Sequence, residues 1–368
     1  MTRLKKAALF VFGLGAAGAV TLALVISHNS DCGAPAPLAD GAPNMQAIMQ
    51  RCYGPPEILA LETIAKPVPG EGQVLVKVHA AALNPLDWHS MRGEPYVMRL
   101  SSGFGAPDDP SFGVDYAGTV EAVGNAVSMF KPGDEVFGGR SGALAEYVVA
   151  RVDRAIALKP GNMSFEQAAA VPIAAVTALQ ALRDKGMLQS GQRVLINGAS
   201  GGVGTFAVQI ARSFGADVTG VCSTRNVDLV RSIGADQVID YTQQDFTLGE
   251  QPYDLILDNV GNRSISELRR VLKPEGTLVV IGGPSDDPWL GPMTHLLKAK
   301  LWSLFVSQRM LMLLAELNPR DLDILRELMA TGKLVPVIDR SFSLAQVPEA
   351  IAYLESGRAR GKVVVSIP

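Results

Sequence analysis

Residues 194–281 alternate short apolar strands with helical segments, and this alternation restricts the fold more than any other feature of the sequence. The predicted strands lie at 194–197, 217–222, 237–240, 255–258 and 277–281, with helices at 205–214, 226–233 and 263–272. Strands that alternate with helices in this way are typical of a parallel sheet with helices on both faces. The sequence therefore predicts a doubly wound α/β domain in this part of the chain.

The first of these strands is followed by a glycine-rich turn that opens a helix. The turn contains Ser200, Gly201, Gly202, Val203 and Gly204. Glycine at 201 lets the backbone approach a pyrophosphate, and glycine at 204 allows the helix to pack closely on the strand. The helix N-terminus then points N–H groups and a positive dipole end at the phosphates. Although Ala199 replaces the first glycine of the usual fingerprint, the complete unit predicts a dinucleotide site.

The end of the second strand distinguishes between the two nicotinamide coenzymes. An acidic residue there would hydrogen-bond the ribose of NADH, whereas an arginine would accommodate the 2′-phosphate of NADPH. The sequence continues Ser223-Thr224-Arg225, and no carboxylate occurs before Asp228. Arg225 can neutralise the phosphate while Ser223 and Thr224 donate hydrogen bonds. NADPH is therefore favoured over NADH, with an exposed arginine at a helix start as the alternative interpretation.

A second domain is expected, because 368 residues exceed the size of one typical domain. Short strands are predicted at 58–64, 73–79, 117–123 and 134–137, around a loop-rich tract at 84–110. This pattern predicts a small, mostly β, barrel-like domain. A capping box at 164–167 marks the first helix of the α/β part, and the last strand, 362–367, is predicted to return to the β-rich domain.

Residues 7–26 form an apolar stretch without a charge, preceded by three basic residues among the first six. In a helix, about 20 apolar residues span the roughly 30 Å of a bilayer core. We expect a retained membrane anchor followed by a linker at 33–43; a cleaved export signal, with small residues 34–36 at the cleavage site, is the alternative. The basic residues predict a cytoplasmic N-terminus and an enzyme domain on the other side, which conflicts with a cytosolic supply of NADPH.

The charge balance and the few cysteines and histidines exclude several kinds of site. Lys and Arg number 33 against 36 Asp and Glu, a net charge of −3, so no nucleic-acid binding is expected. The three cysteines, at 32, 52 and 222, contain no CxxC pair, which argues against a disulfide framework and a cysteine-rich zinc site. The four histidines form no cluster at ligand spacing. The sequence therefore predicts a protein without a metal.

A series of motifs runs through the chain from about residue 45 to its end. They are Asn84–Asp87, Gly113–Gly118, Phe130–Phe137, Gly142–Tyr147, Ala168–Pro172, Ala199–Gly204, Leu272–Gly276 and Gly357–Lys362. Together they resemble the zinc-independent quinone oxidoreductases of the medium-chain dehydrogenase/reductase superfamily. The resemblance implies a GroES-like catalytic domain at 45–165, completed by 335–368, and a Rossmann NADP-binding domain at 166–334. Residues 1–44 remain as an N-terminal segment with an apolar helix.

The resemblance also implies roles for individual residues. Asn84 and Asp87 are expected near the nicotinamide, and His89 stands where relatives have Tyr or Lys. His89 or Tyr96 is a candidate proton donor, with ordering by the coenzyme and a bound water as the alternative. A turn cap at Asn84 and a backbone partner for Asp87 are the alternatives. Further coenzyme contacts are implied at Thr177, Tyr241, Asn259, Gly282 and Lys362. Relatives with catalytic zinc carry Gly-His-Glu where this chain has Gly-Val-Asp at 113–115, which again implies a reductase without zinc.

These observations predict an NADPH-dependent, metal-free reductase that transfers hydride to a quinone or an α,β-unsaturated carbonyl. Residues 289–317 are apolar, Met-rich and helical in pattern. We interpret them as packing between domains or subunits, with a lid over an apolar substrate or a lipid contact as the alternative. A homodimer is a further expectation. The alternative function is a non-catalytic, membrane-associated NADPH-binding protein that carries or senses a lipid or a partner.

Overall fold

The computed structural model describes residues 21–35, 37–38, 41, 43–249, 252–283, 287–291, 293–302 and 306–368. Its strands are β1 (Asn44–Gln50), β2 (Leu59–Ala65), β3 (Gln73–Leu83), β4 (Asp115–Val123), β5 (Glu135–Gly139), β6 (Tyr147–Arg151), β7 (Ile156–Leu158), β8 (Arg193–Asn197), β9 (Asp217–Cys222), β10 (Gln237–Asp240), β11 (Tyr253–Asp258), β12 (Leu272–Val280), β13 (Arg309–Met312), β14 (Ile338–Ser343) and β15 (Lys362–Ser366). Its α-helices are α1 (Pro85–Arg92), α2 (Arg99–Ser102), α3 (Phe165–Ala169), α4 (Pro172–Gln180), α5 (Gly202–Ser213), α6 (Val227–Ser232), α7 (Ile265–Arg270), α8 (Met293–Trp302), α9 (Pro319–Ala330) and α10 (Val347–Glu355).

Strands β8 to β13 form a parallel sheet in the order β10-β9-β8-β11-β12-β13. Its central strand β8 is buried on both faces, as expected when helices cover a parallel sheet. The predicted doubly wound α/β fold is confirmed here. The prediction of helix throughout 289–317 is wrong, because β13 pairs with β12 inside that stretch. A short apolar run such as Arg309–Met312 cannot be assigned to a helix or a strand from its pattern alone.

The β-rich domain contains a sheet in the order β14-β15-β3-β4-β5-β7, with β6 also paired to β3. β15 runs antiparallel to β3, with Val363 opposite Leu83, so the last strand returns to this domain as predicted. The tract at 84–110, predicted as loop, contains α1 and α2 instead. Asn84 is the N-cap residue of α1, and Pro85 takes the first helical position. The backbone N–H of Asn84 donates to Asp87 Oδ2 at 2.7 Å, as in a capping box.

Most of the predicted membrane helix at 7–26 lies outside the described residues, which begin at 21. Residues 21–27 are helical. Within the described part of the chain, no helix has both the length and the apolar character needed to cross a bilayer. The N-terminal apolar helix therefore stays a prediction.

A disulfide joins Cys32 to Cys52, with their Cα atoms 4.7 Å apart. The sequence argument against disulfides was therefore wrong for this pair, since no local motif reveals cysteines that only the tertiary fold brings together. The backbone N–H of Ser30 also donates to the Gly105 carbonyl at 2.9 Å. The segment predicted as a linker, 33–43, therefore follows a cysteine that is bonded to the domain and is followed by β1, which begins at Asn44.

Candidate active site between the two domains

The glycine-rich turn leaves the N-terminus of α5 open. Gly201 is the N-cap residue in an extended conformation, and no side chain caps the helix. A Cβ on Gly204 would collide with the carbonyl oxygen of Gly198, so only glycine fits there. A Cβ on Gly201 would meet only that same oxygen, at 3.5 Å. The turn therefore has the form that a pyrophosphate needs, with close packing at one glycine and free space at the other.

The C-terminal segment of the β-rich domain crosses this turn. The backbone N–H of Gly361 donates to the Ser200 carbonyl at 2.9 Å. Gly361 has a φ of +92° and no room for a Cβ beside Val337, so glycine is required where the chain passes the turn. The next side chain, Lys362, runs alongside Gly202, whose added Cβ would lie 3.3 Å from Lys362 Cδ. The glycine-rich turn and the β-rich domain therefore share one interface.

Four polar side chains from distant parts of the chain meet in the protein interior close to this turn. Asn84, Asp87, Asp115 and Lys362 are each at most 3% exposed. The Lys362 ammonium donates to Asn84 Oδ1 and lies 3.4 Å from Asp115 Oδ2. Asn84 Nδ2 donates to the same Asp115 oxygen at 2.9 Å. Asp115 Oδ1 accepts the backbone N–H of Ile173, in the first turn of α4, at 3.1 Å.

Burial changes the proton affinity of every ionisable member of this buried network. It raises the pKa of the Asp87 carboxyl to about 7, although the hydrogen bond from Asn84 lowers that pKa in part. It raises the pKa of Asp115, against the opposing effect of Lys362. It also lowers the pKa of Lys362, whose charge Asp115 and Asp87 support. Buried charges are retained only when they are paired, so the network depends on all its members.

Sequence reasoning selected Asn84, Asp87 and Lys362 but missed Asp115. The signal was present, because Asp115 belongs to the Gly113–Gly118 motif and follows the position where zinc-dependent relatives have histidine. Among the described residues, no group of three or more His, Cys, Asp or Glu side chains could hold a metal ion. The absence of zinc from the reaction stays a prediction.

The two predicted proton donors lie on and just after α1, in different surroundings. His89 is half-buried, its Nδ1 is 2.8 Å from the Glu94 carbonyl oxygen, and its ring stacks on Trp88. Burial lowers the pKa of His89 below its ordinary value. Tyr96 instead packs its ring edge-on against Trp289, with the Arg99 guanidinium 4.7 Å from the ring centroid. The structure connects neither residue to the buried network by a direct hydrogen bond.

Three of the remaining predicted coenzyme residues follow parallel strands, and the fourth, Thr177, lies in α4. Asn259 Nδ2 donates to the Asn197 carbonyl, while its buried Oδ1 has no hydrogen-bond partner in the described part of the chain. Gly282 has no room for a Cβ beside the Asn259 carbonyl oxygen. Thr177 is buried and donates to the Ile173 carbonyl within α4. Tyr241, which is also a predicted coenzyme contact, follows β10 directly and is 46% exposed.

Residues 223–225 follow β9 and open onto a basic surface. Ser223 accepts a hydrogen bond from Asn226, and Thr224 pairs with Thr242. Arg225 donates to the backbone carbonyl of Arg358 at 2.8 Å, so its guanidinium reaches the C-terminal segment. This contact crosses from the α/β domain to the β-rich domain.

We define the arginine cluster as Arg225, Arg340, Arg358 and Arg360. The first three line a cavity of about 440 Å³ with Tyr353 and Ser356, and Arg360 donates to the Arg225 carbonyl. Asp339 lies close by, where it accepts hydrogen bonds from the Tyr353 hydroxyl and the Arg360 backbone. Sequence reasoning found only Arg225, because the other three arginines come from a segment more than a hundred residues later. The cluster suits a phosphate group, which arginines bind through paired N–H donors.

Two alanine substitutions in the turn should have different effects. We expect Gly201→Ala to fold normally, because its Cβ has space and its backbone is extended, but to weaken NADPH binding by about tenfold or more, equivalent to roughly 1.4 kcal/mol. Gly204→Ala should instead lower the melting temperature by several degrees. Thermal unfolding and fluorescence titration with NADPH measure both effects. Normal NADPH affinity in Gly201→Ala would contradict the assignment of the turn.

The fold and this site define a nicotinamide-dependent oxidoreductase, and comparisons with known proteins identify its family. The family model "Alcohol dehydrogenase GroES-like domain" matches residues 70–160, and "Zinc-binding dehydrogenase" matches residues 233–365. The chain is 37% identical over 339 residues to 2-methylene-furan-3-one reductase of Solanum lycopersicum, covering 87% of this chain and 79% of that protein. It is 35% identical to the mitochondrial NAD(P)H oxidoreductase RTN4IP1 of Homo sapiens, covering 86% and 87% respectively.

A solved structure supports the same conclusion. The quinone oxidoreductase from Coxiella burnetii superimposes with a TM-score of 0.76 and 33% identity, covering 89% of this chain and all of that one. The chain therefore belongs to the medium-chain dehydrogenase/reductase superfamily, as a quinone oxidoreductase-like oxidoreductase. The resemblance found in the sequence motifs is confirmed.

Proposed function

We propose that this oxidoreductase is an NADPH-dependent, metal-free reductase of quinones or α,β-unsaturated carbonyls. The observation that carries the proposal is the buried network of Lys362, Asn84 and Asp115 beside the glycine-rich turn. Its donors are an ammonium and an amide, whereas zinc sites are built mainly from cysteine and histidine. Hydrogen-bond donors in a dry interior can stabilise charge that develops on an oxygen. The names of the relatives, an enone reductase and a quinone oxidoreductase, support the same reaction class.

The preference for NADPH rests on the arginine cluster. Arg225 and Arg358 supply exposed guanidinium groups at the end of β9, where the ribose of a dinucleotide binds in a doubly wound sheet. Arg340 also lines the cavity, so three cations are available to a 2′-phosphate. No carboxylate follows β9 before Asp228 to bind the ribose of NADH. This arrangement favours a phosphorylated ribose.

When bound, the nicotinamide supplies the hydride. The residues of this chain would hold and orient the reactants. The N–H groups that open α5 would bind the pyrophosphate, and Asn259 Oδ1 offers an acceptor that has no partner in the part of the chain that the structure describes. His89 Nδ1 faces a carbonyl and therefore carries the ring proton, which leaves Nε2 to take up a proton from water and deliver it. An apolar acceptor is part of the proposal, because Tyr96, a candidate proton donor, packs on Trp289, which with Leu290 and Met293 is more than a third exposed.

The test is an assay of NADPH oxidation with quinones, enones and, as a matched control, saturated ketones. It uses the full chain in detergent, since the disulfide and Arg99 attach residues 26–32 to the β-rich domain. We expect turnover with quinones or enones, none with saturated ketones, and the same rates after treatment with a chelator. NADPH binding without turnover of any acceptor would contradict the proposal, and so would reduction of saturated ketones.

A further inference from the structure

An apolar surface surrounds the point where the N-terminal segment joins the β-rich domain. We define the apolar patch as Leu22, Leu24, Val25, Leu100 and Phe104, which are 48–66% exposed. Leu24, Val25 and Phe104 line a shared shallow cavity of about 450 Å³, whose lining contains no Asp, Glu, Lys or Arg. Large side chains exposed together in this way mark an interaction surface more often than isolated exposed leucines do.

The patch is held rigidly, because a buried arginine fixes the end of the helical residues 21–27. Arg99 is 1% exposed, and its guanidinium donates to the carbonyl oxygens of Ile26 at 3.0 Å and His28 at 2.9 Å. It also donates to the Gly93 carbonyl and lies 4.2 Å from the Tyr53 ring centroid. Together with the Cys32–Cys52 bond, these contacts leave no free linker between residue 26 and the domain.

The sequence before the patch indicates what covers it. Residues 7–20 contain no charged residue and lead directly into the helical residues 21–27. A helix over 7–26 would be about 30 Å long, the thickness of a bilayer core, and would end at Ile26. Arg99 holds that same residue against the domain. The domain surface therefore begins where the bilayer core would end. Leu24 and Val25 lie less than one helical turn, about 5.4 Å, before that point.

We propose that the apolar patch lies in the surface of a lipid bilayer, with Leu100 and Phe104 inserted beside the anchor. The β-rich domain is then fixed against the membrane instead of being suspended from a flexible tether. The patch contains no basic residue, so apolar burial drives the contact, and anionic lipid is not required. This proposal goes beyond the reductase activity and does not depend on turnover.

The test reconstitutes the full chain in phosphatidylcholine vesicles that carry a photoactivatable diazirine on the acyl chain. Labelled residues are then mapped by mass spectrometry. We expect labelling at Leu100 and Phe104 about fivefold or more above that at Met129 and Leu248, which are each 68% exposed on other parts of the surface. Adding salt or anionic lipid should leave the labelling of the patch unchanged.

Three outcomes would overturn the proposal. Label confined to residues 7–26 would show that the domain stands clear of the bilayer. If labelling of Leu100 and Phe104 decreases as the number of protein molecules per vesicle increases, the patch is covered by a second copy of the chain. A protein that fails to float with the vesicles would show that the N-terminal segment is no anchor. Lipid labelling does not measure turnover. The membrane proposal can therefore fail while the reductase assay succeeds, and the reductase proposal can fail while the patch is labelled.

Discussion

Replacing Lys362 by methionine should lower the free energy of unfolding by about 3 kcal/mol and weaken NADPH binding strongly, because it leaves the Asp115 carboxylate buried without its cation. The same change removes the positive charge beside Gly202, at the open end of α5. Urea unfolding measures the first effect, and calorimetric titration with NADPH measures the second. This substitution has the largest expected effect because stability and coenzyme binding depend on the same ammonium group.

A second substitution separates the two effects. In the double variant Lys362→Met with Asp115→Asn, the new amide needs no counter-ion and can still accept the Ile173 N–H. Much of the stability should return, while NADPH binding stays weak. Lys159→Met is the matched control, because the side chain of this lysine is also only 5% exposed but pairs with Glu135. It should leave NADPH binding unchanged. A double variant no more stable than Lys362→Met would contradict the ion-pair explanation.

Replacing Arg225 or Arg358 by alanine should raise the KM for NADPH and leave the KM for NADH nearly unchanged. A hydrogen bond to a charged group contributes about 1.5–3 kcal/mol, so the expected increase is about tenfold to a hundredfold for each arginine. The two guanidinium groups face one cavity, and the double variant should come close to losing its preference for NADPH. Steady-state kinetics with both coenzymes and one acceptor measure the change.

Arg231→Ala serves as the matched control for the arginine cluster. Arg231 is exposed on α6, where it pairs with Asp228, and it is not among the residues that line the cavity. It should leave both KM values unchanged. If Arg225→Ala raised the KM for NADPH and the KM for NADH equally, Arg225 would support folding or bind a part common to both coenzymes. That result would contradict a role at the 2′-phosphate.

The parallel sheet and its glycine-rich turn could be predicted because both depend on local patterns. Five apolar strands of four to six residues, helices after three of them, and glycines at 201 and 204 are visible in short windows of sequence. The capping box at Ser164 could be read in the same way, and the structure contains it. Such signals need no knowledge of which distant segments will meet.

Most of the features that were missed depend on contacts between distant segments. Cys32 lies beside Cys52 because residues 26–30 pack against Arg99 and Gly105, which are far away in the sequence. Arg358 joins Arg225 across the domain interface, and Asp115 becomes a partner of Lys362 only when β15 is in place. The helix α1 is a different case, because its start at Asn84-Pro85 resembled a loop motif. Asparagine and proline are common both in turns and at helix starts, so the packing of the folded protein decides which of the two structures forms.

The return of β15 to β3 has a consequence for how the chain is synthesised. One edge of residues 80–82 in β3 pairs with β4, but the opposite edge of residues 80–83 pairs with 363–366, so that edge stays open until nearly the whole chain has left the ribosome. An open strand edge is a site of aggregation, and a late partner prolongs the exposure. The same late segment brings Lys362. A chain cut short before residue 362 would therefore carry a complete glycine-rich turn beside an unpaired sheet edge, with the Asp115 carboxylate buried and without its cation.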